Sequence, residues 1–87
     1  MDEYAAVVRK FYEVYRPIGR RYNLRVHSSF SLYRQGFIKI YQGEGPERKL
    51  IIKVEEDDDI ECYKRATEAL ISWKQSREKE YERYRTT

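Results

Sequence analysis

Three consecutive stretches between residues 24 and 55 alternate apolar and polar side chains, and they lie between two stretches whose apolar residues recur every three or four positions. This switch of period, helical to extended and back, narrows the possible folds more than any other feature. In residues 3–16, Tyr4, Val7, Val8, Phe11, Val14 and Tyr15 make one stripe of a helix. Asp2 is placed to cap it, and Asp2 and Glu3 suit the positive end of its dipole. Pro17 disfavours helical geometry at Arg16, and Gly19 follows, so the helix is predicted to stop there.

In residues 24–33, Leu24, Val26, Ser28, Phe30 and Leu32 point one way, and Arg25, His27, Ser29, Ser31 and Tyr33 the other. Gln35-Gly36 predicts a turn in which glycine supplies a positive φ. In residues 37–42, Ile38 and Ile40 oppose Phe37, Lys39 and Tyr41. A loop at Gly43-Glu44-Gly45-Pro46-Glu47 leads to residues 48–55, with Leu50, Ile52 and Val54 inward and Lys49, Ile51 and Lys53 outward. Such short connections imply an antiparallel meander. A second helix, about 58–84, carries Ile60, Tyr63, Ala66, Ala69, Leu70 and Trp73. Its stripe then thins to Tyr81 and Tyr84, so residues 76–87 are expected to project, with weak support from Glu80–Tyr84 and Arg77–Tyr81.

The expected fold class is therefore α+β in the order α-β-β-β-α, with two helices on one face of a three-stranded sheet. Its other face would be open and carry His27, Tyr33, Phe37, Lys39, Tyr41, Ile51 and Lys53. The 87 residues suffice for a single domain, 1–87, with one modest core. Nine Tyr, three Phe and one Trp supply enough apolar area to argue against disorder. No apolar run approaches the roughly 20 residues of a membrane-spanning helix, so no membrane partner is expected. The early acidic residues and the lack of a long apolar stretch speak against a signal peptide. One cysteine excludes an intramolecular disulfide and fits a reducing cytoplasm, that of a host cell if the chain is viral.

The net charge of +3 conceals a strong segregation. Residues 1–54 hold 11 Lys/Arg against 5 Asp/Glu, and residues 62–87 hold 7 against 4. Between them, Glu55, Glu56, Asp57, Asp58, Asp59 and Glu61 are acidic. Capping by Asp58 or Asp59 needs only one or two of these carboxylates. The excess suggests recognition of a basic partner, since such a field steers and orients charged molecules. Asp57-x-Asp59-x-Glu61 opens like a calcium loop but lacks the glycine and the closing glutamate, and zinc would have too few Cys and His, so no metal site or cofactor is expected.

Catalysis is not expected either. Cys62 falls near the apolar stripe of the second helix as a small core residue, and His27 falls on the outward strand face, so they do not form a nucleophile–base pair. Neither a nucleophile elbow nor a glycine-rich phosphate loop occurs. Two surfaces remain. Tyr33, Phe37 and Tyr41 beside Lys39, Lys53 and Arg25 could stack single-stranded nucleic acid, form a protein interface, or simply stabilise the meander. Arg16, Arg20, Arg21 and Arg25, read as a basic loop, could hold phosphates or acidic side chains, or be a solvated loop packed on Tyr22.

The element order, the length, Lys64-Arg65-Ala66 and Ala69-Leu70 resemble a double-stranded-RNA-binding domain over residues 3–75. The resemblance implies the topology. It does not extend to the family's RNA contacts, because Glu55–Glu61 is acidic where that family is basic, and Gly45-Pro46 lies between the second and third strands rather than the first and second. By class, small viral or mobile-element inhibitors such as anti-CRISPR proteins are similar in size, and some imitate nucleic acid with carboxylates. The expected function is thus a non-catalytic binding module for a protein or nucleoprotein, as an inhibitor or nucleic-acid mimic. The alternatives are a nucleic-acid binder using the basic loop and the tyrosine-bearing sheet face, and a structural homodimer.

Overall fold

A computed structural model describes residues 2–31 and 35–85 of the chain. Its elements follow the order α1 (Glu3–Tyr22), β1 (Leu24–Ser29), β2 (Gly36–Gln42), a 3-10 turn (Gly45–Glu47), β3 (Lys49–Glu56) and α2 (Asp59–Arg85). The strands form one antiparallel sheet in the order β1-β2-β3. Both helices pack on one face, and the fold is α+β as the periodicities imply. Between the layers lie Phe11 and Ile18 of α1, Leu24, Ile38, Ile40, Ile52 and Val54 of the sheet, and Cys62, Tyr63, Ala66 and Leu70 of α2. Phe11 is the hub: it stacks on Tyr15 at 5.7 Å and meets Tyr63 edge-on at 5.4 Å. Ring pairs of this kind add about 0.5–1.5 kcal/mol beyond area burial.

Asp2 caps α1 as expected, its Oδ1 accepting the Tyr4 N–H at 3.1 Å. The helix does not end at Arg16, however. It runs through Pro17 to Tyr22 and closes on Asn23, whose φ of 56° is left-handed. Proline removes one N–H bond, to the carbonyl of Glu13, but Glu13 and Pro17 are both exposed, so water can take that carbonyl. In return the extra turns bury Ile18 and set Tyr22 edge-on against Trp73 at 5.1 Å. Arg16, Arg20 and Arg21 consequently lie on a helix and Arg25 on β1, so the predicted basic loop does not exist.

The strands depart from expectation in three places. First, β1 ends at Ser29, so Phe30 and Ser31 lie beyond it, while Leu32 and Tyr33 fall outside the described residues. Second, Gly36 opens β2, and it is absent from the positive-φ glycines, Gly43 and Gly45. What requires glycine there is proximity: a Cβ would come within 2.3 Å of the Phe30 ring. Third, β3 bulges. Ile40 pairs with Ile52 but Tyr41 pairs with Leu50, leaving Ile51 as the extra residue. The slip reverses the faces. Leu50 becomes 46% exposed beside Tyr41, and Ile51 packs against the core.

Helix α2 is preceded by Asp58 and begins with Asp59, and the Oδ1 atoms of both accept the Ile60 N–H, at 3.2 and 2.9 Å. Its second half lies along the end of α1. Arg77 donates to Gln42 Oε1 at 3.0 Å, and Arg21 approaches Glu78 at 3.8 Å.

Candidate functional site

The uncovered sheet face is a grid of three cross-strand rows. Ser29, Phe37 and Glu55 make the first, His27, Lys39 and Lys53 the second, and Arg25, Tyr41 and Leu50 the third. Register therefore brings Phe37, Lys39, Tyr41 and Lys53 together, with Tyr33 outside the described residues. Each aromatic ring already has a cation over it: Lys39 Nζ lies 4.7 Å from the Phe37 centroid, and the Arg48 guanidinium 4.6 Å from that of Tyr41. His27 meets the Tyr41 edge at 5.4 Å. Glu55 pairs with Lys53 at 2.9 Å, and Glu44 pairs with Arg25.

Leu50 and Arg48 are members of this surface that alternation alone misses. The bulge that turns Leu50 outward has no sequence signature here, and Arg48 reaches the face from just before β3.

The acidic run divides in two. Glu55, Glu56 and Glu61 have internal cations, since Arg65 lies 2.6 Å from Glu56 and 3.9 Å from Glu61 and Lys53 serves Glu55. Asp57, Asp58 and Asp59 enter none of the ion pairs among the described residues. They line a depression of about 320 Å³ with Phe30, Ser31 and Gly36. It sits where β2 begins and β3 ends, next to the Phe37–Glu55 row. The sheet face is thus flanked by carboxylates at one end and by Arg25 and Arg48 at the other.

At that basic end, α1 hands over to β1. Arg16, Arg20 and Arg25 line a depression of about 290 Å³ together with Tyr15, Gly19, Asn23 and Leu24. Arg21 lies apart from them, its guanidinium 5.3 Å from the Tyr22 centroid. Tyr15 donates its hydroxyl to Leu24 O at 3.0 Å; burial raises its pKa, against a smaller lowering by Arg25.

Cys62 is fully buried, and its thiol contacts Val54 O at 3.6 Å. Burial, helped by the nearby charge of Glu56, pushes its pKa up, which disfavours the reactive thiolate. His27 is remote from it on the opposite sheet face. Among the described residues, no group of three or more His, Cys, Asp or Glu side chains is arranged to hold a metal, and no helix is long and apolar enough to cross a membrane.

Comparison with family models, with curated proteins and with solved structures finds no match. The likeness to a double-stranded-RNA-binding domain thus rests on element order.

Proposed function

We propose that the chain is a non-catalytic binding module that docks on a protein or nucleoprotein through its open sheet face, oriented by Asp57, Asp58 and Asp59. One observation carries this reading: an uncovered face presents Phe37, Tyr41 and Leu50 among side chains of both signs. Aromatic residues and arginine are enriched at protein interfaces, and a few buried anchors dominate their energetics. Carboxylates at one end and guanidinium groups at the other would fix the direction in which a partner lies.

A nucleic-acid ligand on this face is the weaker reading. Glu44 and Glu55 offset Arg25 and Lys53, and base stacking would have to displace Lys39 and Arg48 from the two rings.

The test is capture of partners from lysate with and without nuclease, followed by titration of the captured species. The double substitution Tyr41→Ala and Leu50→Glu is expected to weaken binding by about 30-fold or more, the loss of one hot spot, with the circular dichroism spectrum unchanged. Reversing Asp57, Asp58 and Asp59 to Lys is expected mainly to slow association and flatten its salt dependence. Unchanged affinity in the double variant, or capture of nucleic acid with no protein in it, would refute the proposal.

A further inference from the structure

Arginines in the last turns of a helix ordinarily need no explanation, because they can hydrogen-bond its free carbonyls and offset its dipole. At the end of α1 that account is incomplete. The carbonyl of Gly19 accepts the Asn23 N–H, that of Tyr22 accepts Gln42 Nε2 at 3.2 Å, that of Asn23 accepts the Gly43 N–H at 3.0 Å, and that of Leu24 accepts the Tyr15 hydroxyl. The carbonyls of Gly19 and Tyr22 in α1, and those of Asn23 and Leu24 just beyond it, thus take donors other than an arginine side chain. Arg20 makes no hydrogen bond or ion pair among the described residues, and Arg16 has only a distant approach to the Tyr12 ring, at 6.0 Å. Two like charges four residues apart on a helix are also mildly unfavourable. Both nevertheless line one concave site with Arg25, over the bare backbone of Gly19.

We propose that this depression is an oxyanion site for a phosphate monoester. Arg16, Arg20 and Arg25 bring three positive charges, and Glu44, which pairs with Arg25, removes one. The remaining two, less about half a charge for the negative C-terminal end of α1, still suit a phosphate monoester, which carries about −1.5 to −2 at neutral pH. A carboxylate or a phosphodiester brings only one negative charge to the same place. Guanidinium groups also suit phosphate oxygens, which they bind with paired, charge-assisted hydrogen bonds. Glu44 is two-thirds exposed and can swing away, so it competes with the ligand for Arg25. Arg25 belongs also to the third row of the docking face, whereas Arg16 and Arg20 lie on α1 outside those rows.

The experiment is an amide NMR titration of the full chain with inorganic phosphate, phosphoserine and dimethyl phosphate at constant ionic strength. Inorganic phosphate and phosphoserine are expected to shift the amides of Gly19, Asn23 and Arg25, with dimethyl phosphate at least about tenfold weaker. Tighter binding of phosphoserine than of inorganic phosphate assigns the site to phosphorylated side chains; the reverse assigns it to the free ion. Arg16→Gln and Arg20→Gln are each expected to weaken phosphate about three- to tenfold. Glu44→Gln is expected to tighten it about threefold, and Arg21→Gln to leave it unchanged. Losses as large in Arg21→Gln as in Arg20→Gln would reduce the effect to net charge and overturn the proposal. So would equal binding of dimethyl phosphate, or shifts centred on Lys39 and Lys53. Melting temperatures of all four variants near that of the parent protein separate lost binding from lost fold.

Discussion

At the scale of single residues, Asn23 shows how one backbone conformation sets a larger arrangement. Its left-handed φ of 56° ends α1 and turns the chain directly into β1. Asparagine tolerates this region better than most residues, while an ordinary side chain there costs roughly 1–2 kcal/mol. Asn23→Ala is therefore expected to lose about 1 kcal/mol in urea unfolding, and Asn23→Gly to be neutral or slightly stabilising. Equal losses in both variants would mean that the amide side chain, rather than the backbone angle, matters. Sequence alone gave little warning of this role, because Pro17 and Gly19 are the stronger helix-ending signals and lie upstream of it.

At the scale of elements, the length of α1 is decided by tertiary packing against a local preference. Pro17 opposes the helix, yet burial of Ile18 and the Tyr22–Trp73 contact carry it onward. A fully buried side chain of this size contributes about 1.5–3 kcal/mol, comparable with the roughly 3 kcal/mol that proline costs in a helix interior. Pro17→Ala is then expected to stabilise the protein by about 1–2 kcal/mol, since restoring the bond to Glu13 outweighs the freer unfolded chain. A loss of stability, or a change in helix content at full folding, would mean that α1 does not continue through this position. The strands were better marked: Ile38, Ile40, Ile52 and Val54 alternate as they pack. Leu50 and Ile51 could not be placed by the same rule, because a bulge changes parity without changing composition.

At the scale of the whole molecule, buried aromatic hydroxyls and the thiol link the core to alkaline pH. Burial raises the pKa of Tyr15, Tyr63 and Cys62 above their ordinary values. Each then holds its proton more tightly when folded than when unfolded. The stability this gives is fully present below the unfolded pKa values of about 8.5 for Cys and about 10 for Tyr, and is lost as pH rises through the folded values. The urea midpoint is accordingly expected to be flat from neutrality to about pH 8 and to fall above about pH 9. Tyr15→Phe and Tyr63→Phe should each make that fall shallower. A midpoint independent of alkaline pH would contradict the burial of these groups. Surface ion pairs have little weight in this balance, as exposed pairs contribute about 0–1 kcal/mol each and are screened by salt. Their placement sets carboxylates and arginines at opposite ends of the sheet.

Period and composition by themselves determined the two helices, the three strands, the covered face and most of the core. They could do so because burial of one face imposes its repeat on every element, whatever lies across from it. The tertiary structure alone decided where α1 ends, which of Leu50 and Ile51 faces outward, which carboxylates are neutralised by Arg65 and Lys53, and that Arg16 and Arg20 meet Arg25 in one depression. Each of these depends on contacts between residues distant in the chain, and a local pattern carries no record of the partner that will be there.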